Sequence, residues 1–199
     1  VIDAASKVIA GSVNKQLVAA LHKAGQRAVG LSGIDGHLTI AEQWHADLGY
    51  VGRPVQSNGP LLNLLAGAAY LPVVACLAAD AKGVVYNVNA DQMAVSIALA
   101  FRAEKLFFLT DVPGVRATSG SVVRQMNPLE AAALIQSGTA YGGMQAKLEA
   151  ACAALAGGVA EVVIAPGGEA RVCARILAGE TLGTRLVPAA VPPTQGSRA

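Results

Sequence analysis

The sequence predicts an α/β fold, a mainly parallel open sheet sandwiched between helices. Short apolar runs rich in β-branched residues, among them 27–32, 71–77, 105–109 and 161–165, have the length and composition of buried strands. Between them lie Ala- and Leu-rich segments whose apolar positions recur with helical period. Alternating strands and helices favour parallel pairing, because a parallel connection needs a crossover long enough to hold a helix.

The first helix is expected over residues 3–24. Val8, Ile9, Val13, Leu17, Val18 and Leu21 form its apolar stripe, Gly11 and Ser12 offer a point of breakage, and Gly25 stops it. Residues 27–32 read as a buried strand, Gly33-Ile34-Asp35-Gly36 as a turn, and 37–41 as a hairpin arm. A strand at 50–56 leads into a helix from Pro60 with Asn58 as its cap. Strand 71–77, helix 89–101 and strand 105–109 follow. Asn127 and Pro128 open a helix over 127–136, and helix 142–155 ends at Gly157 and Gly158. Strand 161–165, helix 169–177 and strand 184–187 complete one domain over 1–187. Residues 188–199, rich in Pro, Ala, Gly and Ser, are expected to be a disordered tail.

Composition narrows the function. With 53% apolar residues in 199, the chain has material for one substantial core. Fifteen Lys and Arg against 13 Asp and Glu leave a net charge of +2 without a basic stripe, and aromatics are 4%. Nucleic acid is therefore disfavoured as a partner, since it needs concentrated positive charge and stacking platforms. The longest apolar stretch, 67–79, has 13 residues and contains Pro72, whereas a membrane span needs about 20 apolar residues. No membrane partner and no leader peptide are expected. Cys76, Cys152 and Cys173 are odd in number and far apart, the usage of reduced thiols in a cytoplasmic protein. Neither they nor His22, His37 and His45 have metal-ligand spacing, so no metal site is expected. Internal repeats, a P-loop and a Gly-x-Gly-x-x-Gly turn are all lacking from the sequence.

Four segments carry groups suited to chemistry. Tyr86-Asn87-Val88-Asn89-Ala90-Asp91 lies between a strand and an Ala-rich helix. Asn87, Asn89 and Asp91 then stand at a helix entrance beside a strand's carboxyl end, where α/β sheets place ligands. The plainer reading makes Asn89 a helix cap and Asp91 a complement to the helix dipole. In 109–115 an apolar strand empties into Thr110, Asp111, Val112, Pro113 and Gly114, which suits either a turn or an acid and free backbone groups facing a nucleotide. In 138–147, Gly142 and Gly143 at a helix start let N–H groups approach a phosphate, and Lys147, one turn on, is placed to clamp it. An isolated helical Lys is otherwise a solvated one. Residues 30–36 suit a β-turn and a ligand loop equally.

In combination these segments resemble the amino-acid kinase family, and within it the acetylglutamate kinases. The family's Gly-x-Val-Asn-Lys run stands as Gly11-Ser12-Val13-Asn14-Lys15, its Val-Gly-Leu-Ser-Gly-x-Asp-Gly as Val29 to Gly36, and its Gly-Tyr/Phe-Val-Gly as Gly49 to Gly52. Tyr-Asn-x-Asn-Ala-Asp is Tyr86 to Asp91, Leu-Thr-Asp-Val-Pro-Gly-Val is Leu109 to Val115, Gly-Gly-Met-x-x-Lys is Gly142 to Lys147, and a closing Leu-Gly-Thr is Leu182 to Thr184. Each run is weak alone, and their shared order is what makes the resemblance specific.

The resemblance implies a carbamate-kinase-like α/β fold and ATP-dependent phosphorylation of the γ-carboxylate of N-acetyl-L-glutamate, a step of arginine biosynthesis. It implies that Asn87 and Asn89 bind the acyl-amino acid, that Asp91 orients the catalytic lysines, and that Lys147 stabilises charge on the migrating phosphoryl group. Thr110, Asp111, Val112, Gly114, Val115 and Arg116, with Thr139, Ala140, Tyr141, Gly143 and Met144, would hold the nucleotide, whose phosphates carry Mg2+. A carboxylate acceptor is already an anion at neutral pH, so such a site needs no strong base; it needs positioning and stabilisation of the equatorial oxygens. A cytoplasmic homo-oligomer, dimer or hexamer, and a nitrogen-signalling regulator as partner are implied as well.

Three departures qualify the resemblance. The family's glycine-rich segment with a first catalytic lysine, a second glycine pair and a substrate-binding arginine all precede the position of Val1. The sequence is thus expected to be N-terminally incomplete and inactive alone. Ile34 and Ser12 each stand where the family often has Lys, which bears on substrate contacts near those loops. Two other readings stay open: a kinase of a related acyl-amino acid, N-acetylaminoadipate or a carrier-linked aminoadipate, and a non-catalytic arginine-sensing domain of the same fold.

Overall fold

The computed structural model describes residues 2–189, and the chain forms two compact units, Val1–Ala103 and Glu104–Ala199. In the first unit, α1 (Ile2–Ser6), a π-helical segment (Lys7–Val13) and α2 (Asn14–Lys23) run on without interruption. The break expected at Gly11 and Ser12 is instead a widened stretch of helix, a form often found next to functional or strained positions. Gly25, at φ +81°, ends α2 as expected, its N–H donating to the His22 carbonyl at 2.9 Å.

Directly after the wide turn stands Asn14, only 4% exposed. Its Nδ2 donates to the carbonyls of Leu31 (3.3 Å) and Val73 (2.8 Å). These belong to β1 (Ala28–Ser32) and β4 (Leu71–Ala75), which pair in parallel from Ala28 opposite Leu71. Lys15 adds a bond from Nζ to the Gly30 carbonyl at 3.0 Å. A Cβ on Gly30 would collide with Asn14 Oδ1, so the first motif and the glycine of the second are two halves of one helix-to-sheet joint.

The remaining strands of this unit, β2 (Thr39–Gln43), β3 (Val51–Ser57), β6 (Val85–Val88) and β5 (Leu77–Ala79), close into a small barrel in that order. Ala41, Ala78, Tyr86, Val88 and Met93 pack together in its core. The single strand expected over 71–77 is therefore two, β4 and β5, in different sheets, with Cys76 at the change. A continuous apolar run carries no signal at such a point, because both sheets want the same residues. Asn58 caps α3 (Gly59–Gly67) by accepting from the Leu61 N–H at 3.1 Å, and α4 (Ala90–Phe101) packs on β3.

In the second unit the sheet order is β7 (Lys105–Thr110), β9 (Glu161–Pro166), β10 (Thr184–Leu186), β8 (Gln125–Met126). Pairs β7–β9 and β8–β10 are parallel and β9–β10 antiparallel. Val162, Val163, Ile164 and Ala165 are fully buried, which makes β9 the spine of this core. α5 (Pro128–Gln136) starts with a capping box between Asn127 and Glu130, and α6 (Gly142–Ala156) packs on β9. α7 (Val172–Leu177) starts later than the expected 169–177, because Arg171 takes φ +57°, a conformation that no right-handed helix admits. Parallel pairs outnumber antiparallel ones, and the α/β class with a mainly parallel sheet holds. Of the tail expected over 188–199, residues 190–199 lie outside the described residues. Among the described residues no helix is long and apolar enough to cross a membrane.

Candidate functional site

Where β7 leaves the second sheet at Thr110, the chain turns along a cleft of about 310 Å³. One wall is Val112, Gly114, Val115 and Arg116; the other is Thr139, Ala140, Tyr141 and Met144. Two segments that the sequence links only through the resemblance thus meet across one space. Thr110, Asp111 and Gly143, assigned with them, border this lining without entering it. The Thr110 hydroxyl donates to Asp111 Oδ1 at 3.1 Å.

The first wall is held from behind. Val115 is fully buried; its N–H donates to Thr184 Oγ1 at 2.9 Å and its carbonyl accepts from the Val123 N–H at 2.8 Å. Arg116 forms a bridge with Val122, and its Nη1 donates to the Gly120 carbonyl at 3.0 Å. The second wall follows α5. The Ala140 N–H donates to the Leu134 carbonyl at 3.0 Å, Gly138 at φ +72° makes the turn, and the Thr139 and Ser137 hydroxyls bond at 2.9 Å. Tyr141, in extended conformation and 76% exposed, precedes α6 without capping it by its side chain.

Helix α6 therefore opens without a side-chain cap, although the Tyr141 carbonyl accepts from the Met144 N–H at 3.2 Å, and a Cβ built on Gly142 or Gly143 would meet nothing within 4 Å. A helix that starts on two glycines with no side chain crowding them, at its dipole's positive end, suits an anion. Lys147 lies further along the same helix, half-buried, with its ammonium 5.8 Å from the centroid of the buried Phe108 ring of β7. An aromatic face within reach gives this ammonium a partner besides water. Sequence reasoning misses Phe108, because an apolar strand residue looks the same whether or not a cation rests on it.

In the first unit, Asn87 is half-buried on β6, opposite both Val51 of β3 and Leu77 of β5, and its N–H donates to the Tyr50 carbonyl at 2.9 Å. Asn89 caps α4, its Oδ1 accepting from the N–H groups of Asp91 (2.9 Å) and Gln92 (3.2 Å). The plainer reading of Asn89 is correct as far as that oxygen goes. Asp91 is half-buried in the helix's first turn.

The loop 30–36 is tied up internally: Asp35 Oδ2 accepts from the Ser32 N–H (2.7 Å) and hydroxyl (2.8 Å). Beside it, a cleft of about 350 Å³ is lined by Ile34, His37 and the Asp80–Gly83 turn among others. Hydrogen bonding from the Val84 N–H, opposed by burial and aided by the Lys82 N–H and the Tyr86 hydroxyl, holds the Asp80 carboxyl below its usual range. All three cysteines are free thiols, and among the described residues no cluster of three or more His, Cys, Asp or Glu could hold a metal ion.

A strand-end loop facing the start of a helix that opens on two glycines is a feature of α/β proteins that take phosphorylated ligands. The chain belongs to the amino acid kinase family, whose sequence profile matches residues 1–166. An acetylglutamate kinase of Solibacter usitatus is 56% identical over 188 residues, covering 94% of this chain and 73% of that protein. One of Bartonella bacilliformis is 41% identical over 180 residues, covering 84% of this chain and 60% of its own length. In fold, the chain is similar to an N-acetylglutamate synthase of Neisseria gonorrhoeae, solved with coenzyme A and N-acetyl-glutamate. The TM-score is 0.83 at 24% identity, over 94% of this chain and 44% of the synthase.

Proposed function

We propose that the protein carrying this sequence is a carboxyl-group phosphotransferase that moves the γ-phosphoryl group of ATP onto the γ-carboxylate of N-acetylglutamate, a step of arginine biosynthesis. The observation that carries the reading is the second unit's cleft, whose lining consists entirely of residues assigned to the nucleotide. Val112, Ala140 and Met144 suit the flat apolar faces of a base. The start of α6 suits the phosphates, and Lys147 carries the positive charge that a migrating phosphoryl group needs. Mg2+ enters on the nucleotide and offsets charge between its phosphates, so no protein cage for the ion is required.

On the acceptor side, Asn87 and Asn89 hold the acyl-amino acid through their amides. Because Asn89 Oδ1 already accepts two backbone N–H groups, its contact with an anionic substrate is made through the amide nitrogen. Asp91 orients the ammonium groups that meet the reacting phosphate. A homo-oligomer is supported by the exposed Val8, Val13 and Leu17 on the first helical stretch.

The test is acyl phosphate formation by the full-length protein, trapped with hydroxylamine, in the presence of ATP, Mg2+ and N-acetylglutamate. Lys147→Ala is expected to lower kcat by about 10²–10³-fold, with much less change in either KM. Equal turnover removes the role given to Lys147. Preferential turnover of N-acetylaminoadipate, or arginine binding without ATP binding, selects one of the other readings.

A further inference from the structure

We infer that Thr184 is a positioning residue for nucleotide binding, acting through one hydroxyl that sets the shape of the cleft's first wall; this rests on the reading of the cleft as the nucleotide site. Thr184 is fully buried on β10, where it pairs with Ile164 of the spine strand β9. Its Oγ1 accepts from the Val115 N–H at 2.9 Å and donates to the Val123 carbonyl at 2.6 Å. The same two residues are joined by their own backbone bond from the Val123 N–H to the Val115 carbonyl. Both arms of the excursion 115–123 are thus fastened at one atom of the sheet.

Two glycines make this contact close. Gly114 takes φ +146°, and a Cβ on it would lie 2.8 Å from Thr184 Oγ1 and 2.9 Å from Val122 Cγ1. Gly183, at φ +74°, sits so near β9 that a Cβ would overlap the Ile164 carbonyl oxygen. The sheet side cannot retreat and the loop side has no side chain in the way, so the hydroxyl ties the Val115 N–H, and with it the paired arms 115–116 and 122–123, to β10. Gly114, Val115 and Arg116 present the cleft wall from that same backbone. A shift there is a shift of the wall.

Valine has threonine's shape without the hydroxyl, so Thr184→Val leaves the buried Val115 N–H and the part-buried Val123 carbonyl each short of a partner. The loop recovers those bonds only by moving. Nucleotide affinity is expected to fall about tenfold in Thr184→Val, the loss a single well-made buried hydrogen bond accounts for, and Thr184→Ser is expected to stay within about twofold of wild type.

The measurement is the Kd of ADP by titration calorimetry on the full-length protein, with the KM values of ATP and N-acetylglutamate alongside. Thr184→Val should weaken ADP binding and raise the KM of ATP by similar factors, leaving the KM of N-acetylglutamate and kcat near wild type, and Thr184→Ser should restore both nucleotide values. Ala140→Trp, which fills the cleft, should abolish ADP binding. If Ala140→Trp loses ADP and Thr184→Val binds it normally, the inference falls and the cleft reading stands; if Ala140→Trp binds ADP normally, both fall. An equal rise in both KM values would make Thr184 a general packing residue and overturn the inference. Should Thr184→Val not fold, Gly114→Ala, which pushes the same loop off the same hydroxyl, is expected to weaken ADP likewise, and unchanged affinity in that variant overturns the inference.

Discussion

At the start of α4, Asn89 is engaged in capping whatever else it does, and its two roles are separable by substitution. Asn89→Asp keeps an acceptor oxygen for the Asp91 and Gln92 N–H groups and adds favourable charge at a helix N-terminus, so stability should hold. The added carboxylate repels an anionic acceptor, so the KM of N-acetylglutamate should rise while thermal unfolding stays put. An unchanged KM would leave Asn89 as a cap and nothing more. Asn14 has the opposite profile: Asn14→Ala removes a buried amide from the carbonyls of Leu31 and Val73 and should cost about 1–3 kcal/mol in denaturant unfolding. Both asparagines stand in motifs, yet only the cap is legible in the sequence, because its partners are its own neighbours. The partners of Asn14 and Thr184 are distant backbone carbonyls and N–H groups, which every residue has and no residue type announces.

Among the elements, β7, β9 and β10 are tied at one end by Glu161. Its carboxylate receives Nε and Nη2 of Arg185 at 3.0 Å each and Lys105 Nζ at 3.3 Å. Burial pushes the Glu161 pKa up, but the hydrogen bonds from Arg185 and Lys105 outweigh it and hold the group below its ordinary 4.5. A carboxylate depressed on folding contributes its stability above the unfolded-state value and loses it as pH falls through the folded-state value. Denaturant midpoints should therefore drop as pH goes below 4.5, and Glu161→Gln should be less stable at neutral pH with a flatter acid limb. Parallel acid limbs in the two proteins would contradict this. The helices are readable because their signals are local: Asn58 and Asn127 as caps, Gly25 as a stop. The division of 71–77 between two sheets and the late start of α7 are not, since the first depends on which sheet each half joins and the second on the backbone angle of Arg171.

For the whole chain, alternation of apolar runs and helical segments is enough to predict the α/β class, and the order of motifs from Gly11 to Thr184 is enough to point to the family. The small barrel of β2, β3, β6 and β5 escapes such reading, because four short strands closing on themselves leave no period in the sequence. The motifs divide by unit: Asn87, Asn89 and Asp91 belong to the first, while the cleft and Lys147 belong to the second. In the proposed function these family motifs serve phosphoryl transfer from ATP to N-acetylglutamate. Phosphorus NMR of the full-length protein with ATP and Mg2+ tests that account most directly. An acyl phosphate resonance should grow in step with ADP only when N-acetylglutamate is added; ATP breakdown to inorganic phosphate alone, or no consumption of ATP with this acceptor, would contradict it.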